Sequence, residues 1–227
     1  MWNTVDVSST PPVTDALARR AVERAVADKQ SELARSMQGI VEATYALVEE
    51  SGDIDPPMRQ ILARSGLSTQ AFYRQFRSKD ELMLALLDDG RRRLVGHLER
   101  RMQRASSPSA QVRAWVEGVM AQAADVRAAG RTRPFVAGEV RIAELFPDEH
   151  NASVGQLVSL LVAPLSAITS TKGNERTAGE RVHRDAEAVY RLTFATLRDH
   201  LVSRRKPTPA TIDHLVRFVL RAVGATP

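Results

Sequence analysis

Two short helix-forming runs, residues 57–65 and 68–75, are separated only by Gly66-Leu67, and this break constrains the chain more than any other feature. Gly66 suits the left-handed backbone position that ends a helix sharply. Leu67 supplies an apolar plug for the angle between the helices, and Ser68 a side-chain cap for the second one. Within that second helix Phe72 and Phe76 fall on an inward face. Thr69, Gln70, Ala71, Tyr73 and Arg74 fall outward, polar or small enough to enter a DNA major groove. The pattern predicts a helix-turn-helix. A plain helical hairpin is compatible with the Gly-Leu-Ser triplet alone.

Upstream, Leu33, Met37, Ile40, Val41, Thr44, Leu47 and Val48 recur at three- and four-residue spacing, predicting a helix over 31–50 that Gly52 ends. A polar helix is expected over 15–30 and disorder over 1–13. Downstream, Ser78-Lys79-Asp80-Glu81 is a capping box. The Ser78 hydroxyl is expected to accept from the Glu81 amide and the Glu81 carboxylate to return to the Ser78 amide. It opens a long helix through Leu82, Leu86, Leu94 and Leu98 to about Arg104. Past Ser106-Ser107-Pro108-Ser109 a larger helical domain begins, with helices near 109–129, 134–146, 149–170, 178–205 and 208–224. Thr171 to Glu180 reads as a flexible loop. No alternating strand pattern and no internal repeat is present, so the expected fold is all-α, with about nine or ten helices.

A hydrophobic content of 43% is enough for a core, and the absence of cysteine excludes disulfides and Cys-ligated metal sites. The start of the chain lacks the basic and then apolar segments of a signal peptide. The most apolar run, Leu157 to Ile168, contains Pro164 and is short for a bilayer. A soluble, cytoplasmic protein without a membrane partner is expected. The net charge of +5 is concentrated in the second half: residues 1–104 carry +1 and residues 105–227 carry +4. Global basicity therefore does not point to the helix-turn-helix. Locally it does: from Pro56 to Lys79 lie Arg59, Arg64, Arg74, Arg77 and Lys79 with no acidic residue.

The stretch GLSTQAFYRQFRSKDELMLALL, residues 66–87, resembles the TetR family of bacterial transcriptional regulators. That family carries a Gly-Val-Ser turn, a Phe-Tyr pair, a second Phe three residues on, and a Ser-Lys-acidic-acidic-Leu helix opening. Gly52, nine residues before Ile61, and the run Ile40, Val41, Ala43, Leu47 and Val48 extend the resemblance to about residues 38–88. Three positions depart from it. Leu62 stands where a small Ala is usual, Gln75 where His or Tyr is common, and Pro57, after Pro56, where a capping and phosphate-binding Thr or Ser is usual.

The resemblance implies an N-terminal extension over 1–35, partly disordered, a three-helix DNA-binding domain over 36–80, and a helical ligand-binding and dimerisation domain over 81–227. It places Ser68 at the cap, Thr69, Gln70 and Ala71 against base edges, and Tyr73 and Lys79 on phosphates. Gln70 suits adenine, and Arg74 guanine or phosphate. Arg19, Arg20 and Arg24 of the extension are either a minor-groove arm or a solvated face balanced by Asp15, Glu23 and Asp28.

For dimerisation, Ala186, Val189, Thr193, Leu197 and Leu201 form one stripe and Ile212, Leu215, Val216, Val219 and Val223 another. Both stripes could instead face their own core. Trp115, Met120, Phe135, Leu145, Phe146, Leu157 and Leu161 would line an effector pocket, or equally a plain core, with Arg133, Glu139 and Arg141 orienting a polar end of the ligand. The expected partners are an operator in double-stranded DNA, a second copy of the chain, and a hydrophobic or amphipathic small molecule, with no cofactor. An enzyme is disfavoured, because His97, His150, His183, His200 and His214 lack metal-ligand spacing and no Gly-rich phosphate loop occurs. A helical interaction protein that binds no DNA remains the other class.

Overall fold

In the computed structural model, which describes residues 13–53, 55–169 and 175–225, every regular element among those residues is a helix. They are α1 (Val13–Ser51), α2 (Met58–Ser65), α3 (Thr69–Gln75), α4 (Lys79–Gln103), α5 (Pro108–Ala124), α6 (Val126–Leu145), α7 (Pro147–Thr169), α8 (Glu175–Ser203) and α9 (Pro209–Ala222). Of residues 1–13, where disorder is expected, 1–12 lie outside the described residues and Val13 begins α1.

Three boundaries differ from the sequence reading. The two helices expected over 15–30 and 31–50 are one helix of 39 residues, and residues 18–35 of it are exposed throughout. No Gly or Pro interrupts that span before Gly39, so nothing in the backbone ends the helix. The break expected near 129–134 falls at Asp125, which closes α5 and caps α6 by accepting from the Ala128 amide at 2.8 Å. Pro134 then sits buried inside α6, and Pro164 inside α7, without ending either helix. α7 is therefore longer than the apolar run suggested, and by length and composition alone it could cross a membrane. Leu157, Leu161 and Leu165 of α7 are spent on the protein's own core. The loop expected from Thr171 to Glu180 is already helical from Glu175, and residues 170–174 lie outside the described residues.

The buried side chains form two clusters. The first joins Ile40 and Val41 of α1, Ile61 of α2, Phe72 of α3 with the following Phe76, and Leu82, Met83, Leu86 and Leu87 of α4. Ile142 of α6 reaches into it. The second is the C-terminal bundle, centred on Trp115, Val119, Leu157, Leu161, Leu197 and Val216. α4 serves both, giving Leu98 and Met102 to the bundle from its far end. There α4 and α5 meet closely: a Cβ on Gly118 would stand 2.5 Å from the Leu98 Cδ2. The Trp115 indole N–H, buried in the bundle, donates to the Leu157 carbonyl at 3.2 Å, which satisfies its polar tip.

Candidate nucleic-acid interface

The turn between α2 and α3 follows from Gly66, whose φ of 71° and ψ of 15° place it in the left-handed region. The Gly66 and Leu67 amides both return to the Leu62 carbonyl, Leu67 at 3.3 Å, the pattern that closes a helix and starts a new direction. Ser68 is extended and its hydroxyl accepts from the Ala71 amide at 3.1 Å. α3 has only seven residues, too few to persist alone. Phe72 anchors it, fully buried, with ring centroids 5.5 Å from Phe76 and 5.2 Å, edge-on, from Tyr73. At its C-terminal end the Gln75 amide donates to the Ser36 hydroxyl of α1 at 2.6 Å. Its outer face carries Thr69, Gln70, Tyr73 and Arg74, all exposed. Ala71 differs from expectation: it is half-buried on the shoulder of that face.

The five local cations divide into two groups. Arg64 makes a bidentate pair with Glu50 at 2.6 and 2.7 Å, pinning α2 to α1 and holding the Glu50 carboxyl below its usual range. The Lys79 ammonium lies 2.5 Å from the Asp55 carboxylate and 3.2 Å from the Asp55 carbonyl. Lys79, expected on phosphate, thus rests on Asp55, which lies just upstream of the acid-free stretch. Arg59, Arg74 and Arg77 are exposed and make no ion pair among the described residues. α2 starts without a side-chain cap at Pro57, as the departure from the family pattern implied. The Ser78 cap on the Glu81 amide is present at 3.1 Å, but the Glu81 carboxylate returns to the Arg77 amide rather than to that of Ser78.

Residues 40–86 match the family model of bacterial regulatory proteins, tetR family. That match covers the end of α1, all of α2 and α3, and the start of α4. Among solved structures, Escherichia coli NemR in its reduced form superposes with a TM-score of 0.61 at 16% identity, covering 85% of this chain and 98% of that one. RolR in complex with resorcinol gives 0.61 at 12% identity, with 87% and 91% covered. Bacillus subtilis FadR in complex with stearoyl-CoA gives 0.56 at 13% identity, with 82% and 96% covered. At these identities the superpositions speak for the fold. No curated protein matches the sequence.

The residues expected to line a pocket do not converge on one. Trp115, Met120 and Leu157 are fully buried in the bundle core, whereas Phe135 and Phe146 pack against the N-terminal cluster. Phe135 lies 5.3 Å from the Tyr45 ring of α1. The three polar residues assigned to a ligand are already engaged. Arg133 donates to the Leu201 carbonyl at 2.8 Å, and Arg141 clamps Asp80 in the first turn of α4 with two bonds of 3.0 Å. Glu139 pairs with Arg91. The residues expected at a dimer interface are likewise inside: Val189, Thr193, Leu197, Leu201, Leu215 and Val219 are all buried in the chain's own core. The stripes are real, but they close the bundle. Thr193 needs no partner there, since its hydroxyl donates to the Val189 carbonyl at 2.7 Å.

A buried polar node went unread in the sequence. Arg91 of α4, 7% exposed, donates from one nitrogen to Glu139 of α6 at 2.5 Å and lies 3.2 Å from Nδ1 of His150 on α7. Its other terminal nitrogen is buried without a partner. Burial and the Arg91 charge lower the His150 pKa, and burial with the nearby Glu139 pushes the Tyr190 hydroxyl of α8 up to about 12. The three members of the Arg91 node stand 48 and 59 residues apart in sequence, so no local spacing announces them.

Proposed function

We propose that residues 36–80 read double-stranded DNA through the outer face of α3, and that the chain acts as a cytoplasmic homodimeric repressor of a palindromic operator, released by a small hydrophobic or amphipathic molecule. The observation that carries this reading is α3 itself. Phe72 and Phe76 hold its inner face, while Thr69, Gln70, Tyr73 and Arg74 stand exposed on its outer one, flanked by the unpaired Arg59 and Arg77. Lys79 reaches phosphate in this reading by leaving Asp55, an exchange of one anion for another.

One module makes few base contacts, and two modules a DNA turn apart supply enough. For the dimer, the residues on the outer sides of α8 and α9 replace the buried stripes. Ala188, Leu192, Ala195 and Val202 are exposed along α8 at helical spacing, and Phe218, 56% exposed, stands on α9 beside Ala222. Release by a ligand in residues 81–227 finds support in the likeness to structures that hold resorcinol and stearoyl-CoA. The bundle interior is closed around Trp115, so a guest there must select an opened state. α6 would carry the change to the DNA end, because it grips α4 through Arg141–Asp80 and Glu139–Arg91. The same closed core favours the second reading, a regulator with no small-molecule effector.

The test is binding of the purified chain to the DNA upstream of its own gene, measured by fluorescence anisotropy against a scrambled duplex. Gln70→Ala is expected to lose about 1–3 kcal/mol on the operator and little on scrambled DNA. Tyr73→Phe with Lys79→Ala should weaken binding to both and flatten the salt dependence. Equal affinity of the wild type for operator and scrambled duplex would remove the reading. Phe218→Glu should leave a monomer by sedimentation, and a dimer that survives it refutes the outer-face assignment.

A further inference from the structure

Where the two halves of the molecule meet, a groove of about 410 Å³ runs between α1, α3, α4 and α7. Its floor is apolar, with Met37, Phe76 and Leu84. Its polar rim is one-sided: Glu81, Asp88 and Glu149 line it, and no Lys, Arg or His does. Asp88 is shared with Arg92 at 3.2 Å, and one Glu81 oxygen accepts the Arg77 amide. The Glu149 carboxylate makes no hydrogen bond or ion pair among the described residues.

Two buried polar atoms in the same groove lack partners. Ser153 is 2% exposed and its hydroxyl bonds to nothing. A buried helical hydroxyl ordinarily turns back to the carbonyl four residues earlier, as Thr44 does to Ile40 and Thr193 to Val189, both at 2.7 Å. Ser153 does not. The Gln75 side-chain oxygen is the second orphan, its amide nitrogen being committed to Ser36. An unpaired buried group is costly, and native proteins keep few without a reason. A side-chain amide oxygen can only accept, a serine hydroxyl can accept, and a carboxylate can only accept. The complement of such a rim is a cationic group with several N–H donors.

We propose that this groove binds a primary organic ammonium ion whose apolar body lies on Phe76 and Leu84 and whose N–H donors meet Gln75, Ser153 and Glu149. The site is distinct from the bundle interior around Trp115. Its occupancy needs no DNA. If α3 does read DNA, an occupant would tie the end of the recognition helix to α7, a consequence that rests on the proposed function.

The experiment uses the full chain and three probes with one apolar body: 4-phenylbenzylammonium, neutral 4-phenylbenzyl alcohol and anionic 4-phenylbenzoate, titrated by calorimetry without DNA. The ammonium ion is expected to bind about tenfold or more tightly than the carboxylate, with the alcohol between. Glu149→Gln and Ser153→Ala should each weaken the ammonium ion severalfold. Glu149 is exposed and unpaired, so its variant should fold. Ser153→Ala removes an unsatisfied hydroxyl, so its melting temperature should hold or rise. Equal affinity for cation and anion, unchanged affinity in both variants, or no saturable binding of the ammonium ion at millimolar concentration would each overturn the site. The last result would leave the groove to water. Because no arm contains operator, failure here says nothing against α3 as the DNA reader.

Discussion

α3 and the C-terminal bundle are both helices packed on helices, but they dispose of their polar groups in opposite ways. At α3 the polar residues Thr69, Gln70, Tyr73 and Arg74 are sent outward from a two-phenylalanine anchor. In the bundle, Arg91, Ser153 and Thr193 are drawn in, and Arg91 carries its charge with it. A segment that presents a surface needs only a rigid back, which a few large apolar side chains supply. A segment that buries charge is held by specific pairings, and such pairings can exist in more than one arrangement. The contrast sets an outward polar face on an apolar back at one end against buried polar pairs at the other.

The largest effects test whether the two ends are one cooperative unit. Phe72→Ala and Trp115→Ala should each cost about 3–5 kcal/mol in urea denaturation followed by circular dichroism. Ile142 of α6 belongs to the N-terminal cluster and α4 feeds both clusters, so each variant should still melt in a single transition. Two separated transitions in Phe72→Ala would show that the ends are thermodynamically independent and would break the comparison at its base.

Next in size is the buried node. Arg91→Met strands Glu139 beside an apolar side chain and should cost about 3 kcal/mol, near the low end for a broken buried pair because Glu139 is partly exposed. Adding Glu139→Leu should recover much of that loss. If the double variant is no better than the single one, Arg91 acts by its packing alone, and the bundle is no more charge-dependent than α3.

Smaller still are the local devices of the turn. Gly66→Ala must hold a Cβ at φ 71° and should cost about 1–2 kcal/mol. Ser68→Ala removes the cap on the Ala71 amide for about 1 kcal/mol. Operator affinity should fall with them if α3 is the reader, since both define its direction.

These devices are also what makes the helix-turn-helix end readable in the sequence. Gly66, Ser68 and Ser78 act on residues within five positions of themselves, so their meaning is written locally. The heptad-like stripes of α8 and α9 were equally visible, but periodicity reports only that a face is apolar. It does not say whether that face meets its own subunit or another, and Val189, Leu197 and Val219 proved to meet their own. The same ambiguity hid the placement of Phe135 and Phe146. The Lys79 pairing is hidden for a related reason: its anion, Asp55, lies 24 residues away, past the Pro56-Pro57 break. Salt bridges and buried nodes between distant residues leave no trace in spacing.

The smallest effect expected is a dependence on pH confined to the bundle. His150 lies with its Nδ1 3.2 Å from the Arg91 guanidinium, which can only donate, so the ring is assigned as neutral with its proton on Nε2. Burial first, and Arg91 second, lower its pKa in the folded chain, outweighing the attraction of Glu139. The unfolded histidine, at about 6.5, then binds its proton before the folded one as the pH falls. Stability from this group is complete above about 6.5 and declines between that value and the lower folded pKa. His97, lowered by burial and by Arg101 and Arg100, adds in the same direction. Urea midpoints on either side of that window should therefore drop toward acid in the wild type, and drop less in His150→Gln, whose side-chain oxygen can still accept from Arg91. An unchanged acid drop in that variant would move the effect to His97 and leave the Arg91 node insensitive to protonation, as rigid in this respect as the helix-turn-helix.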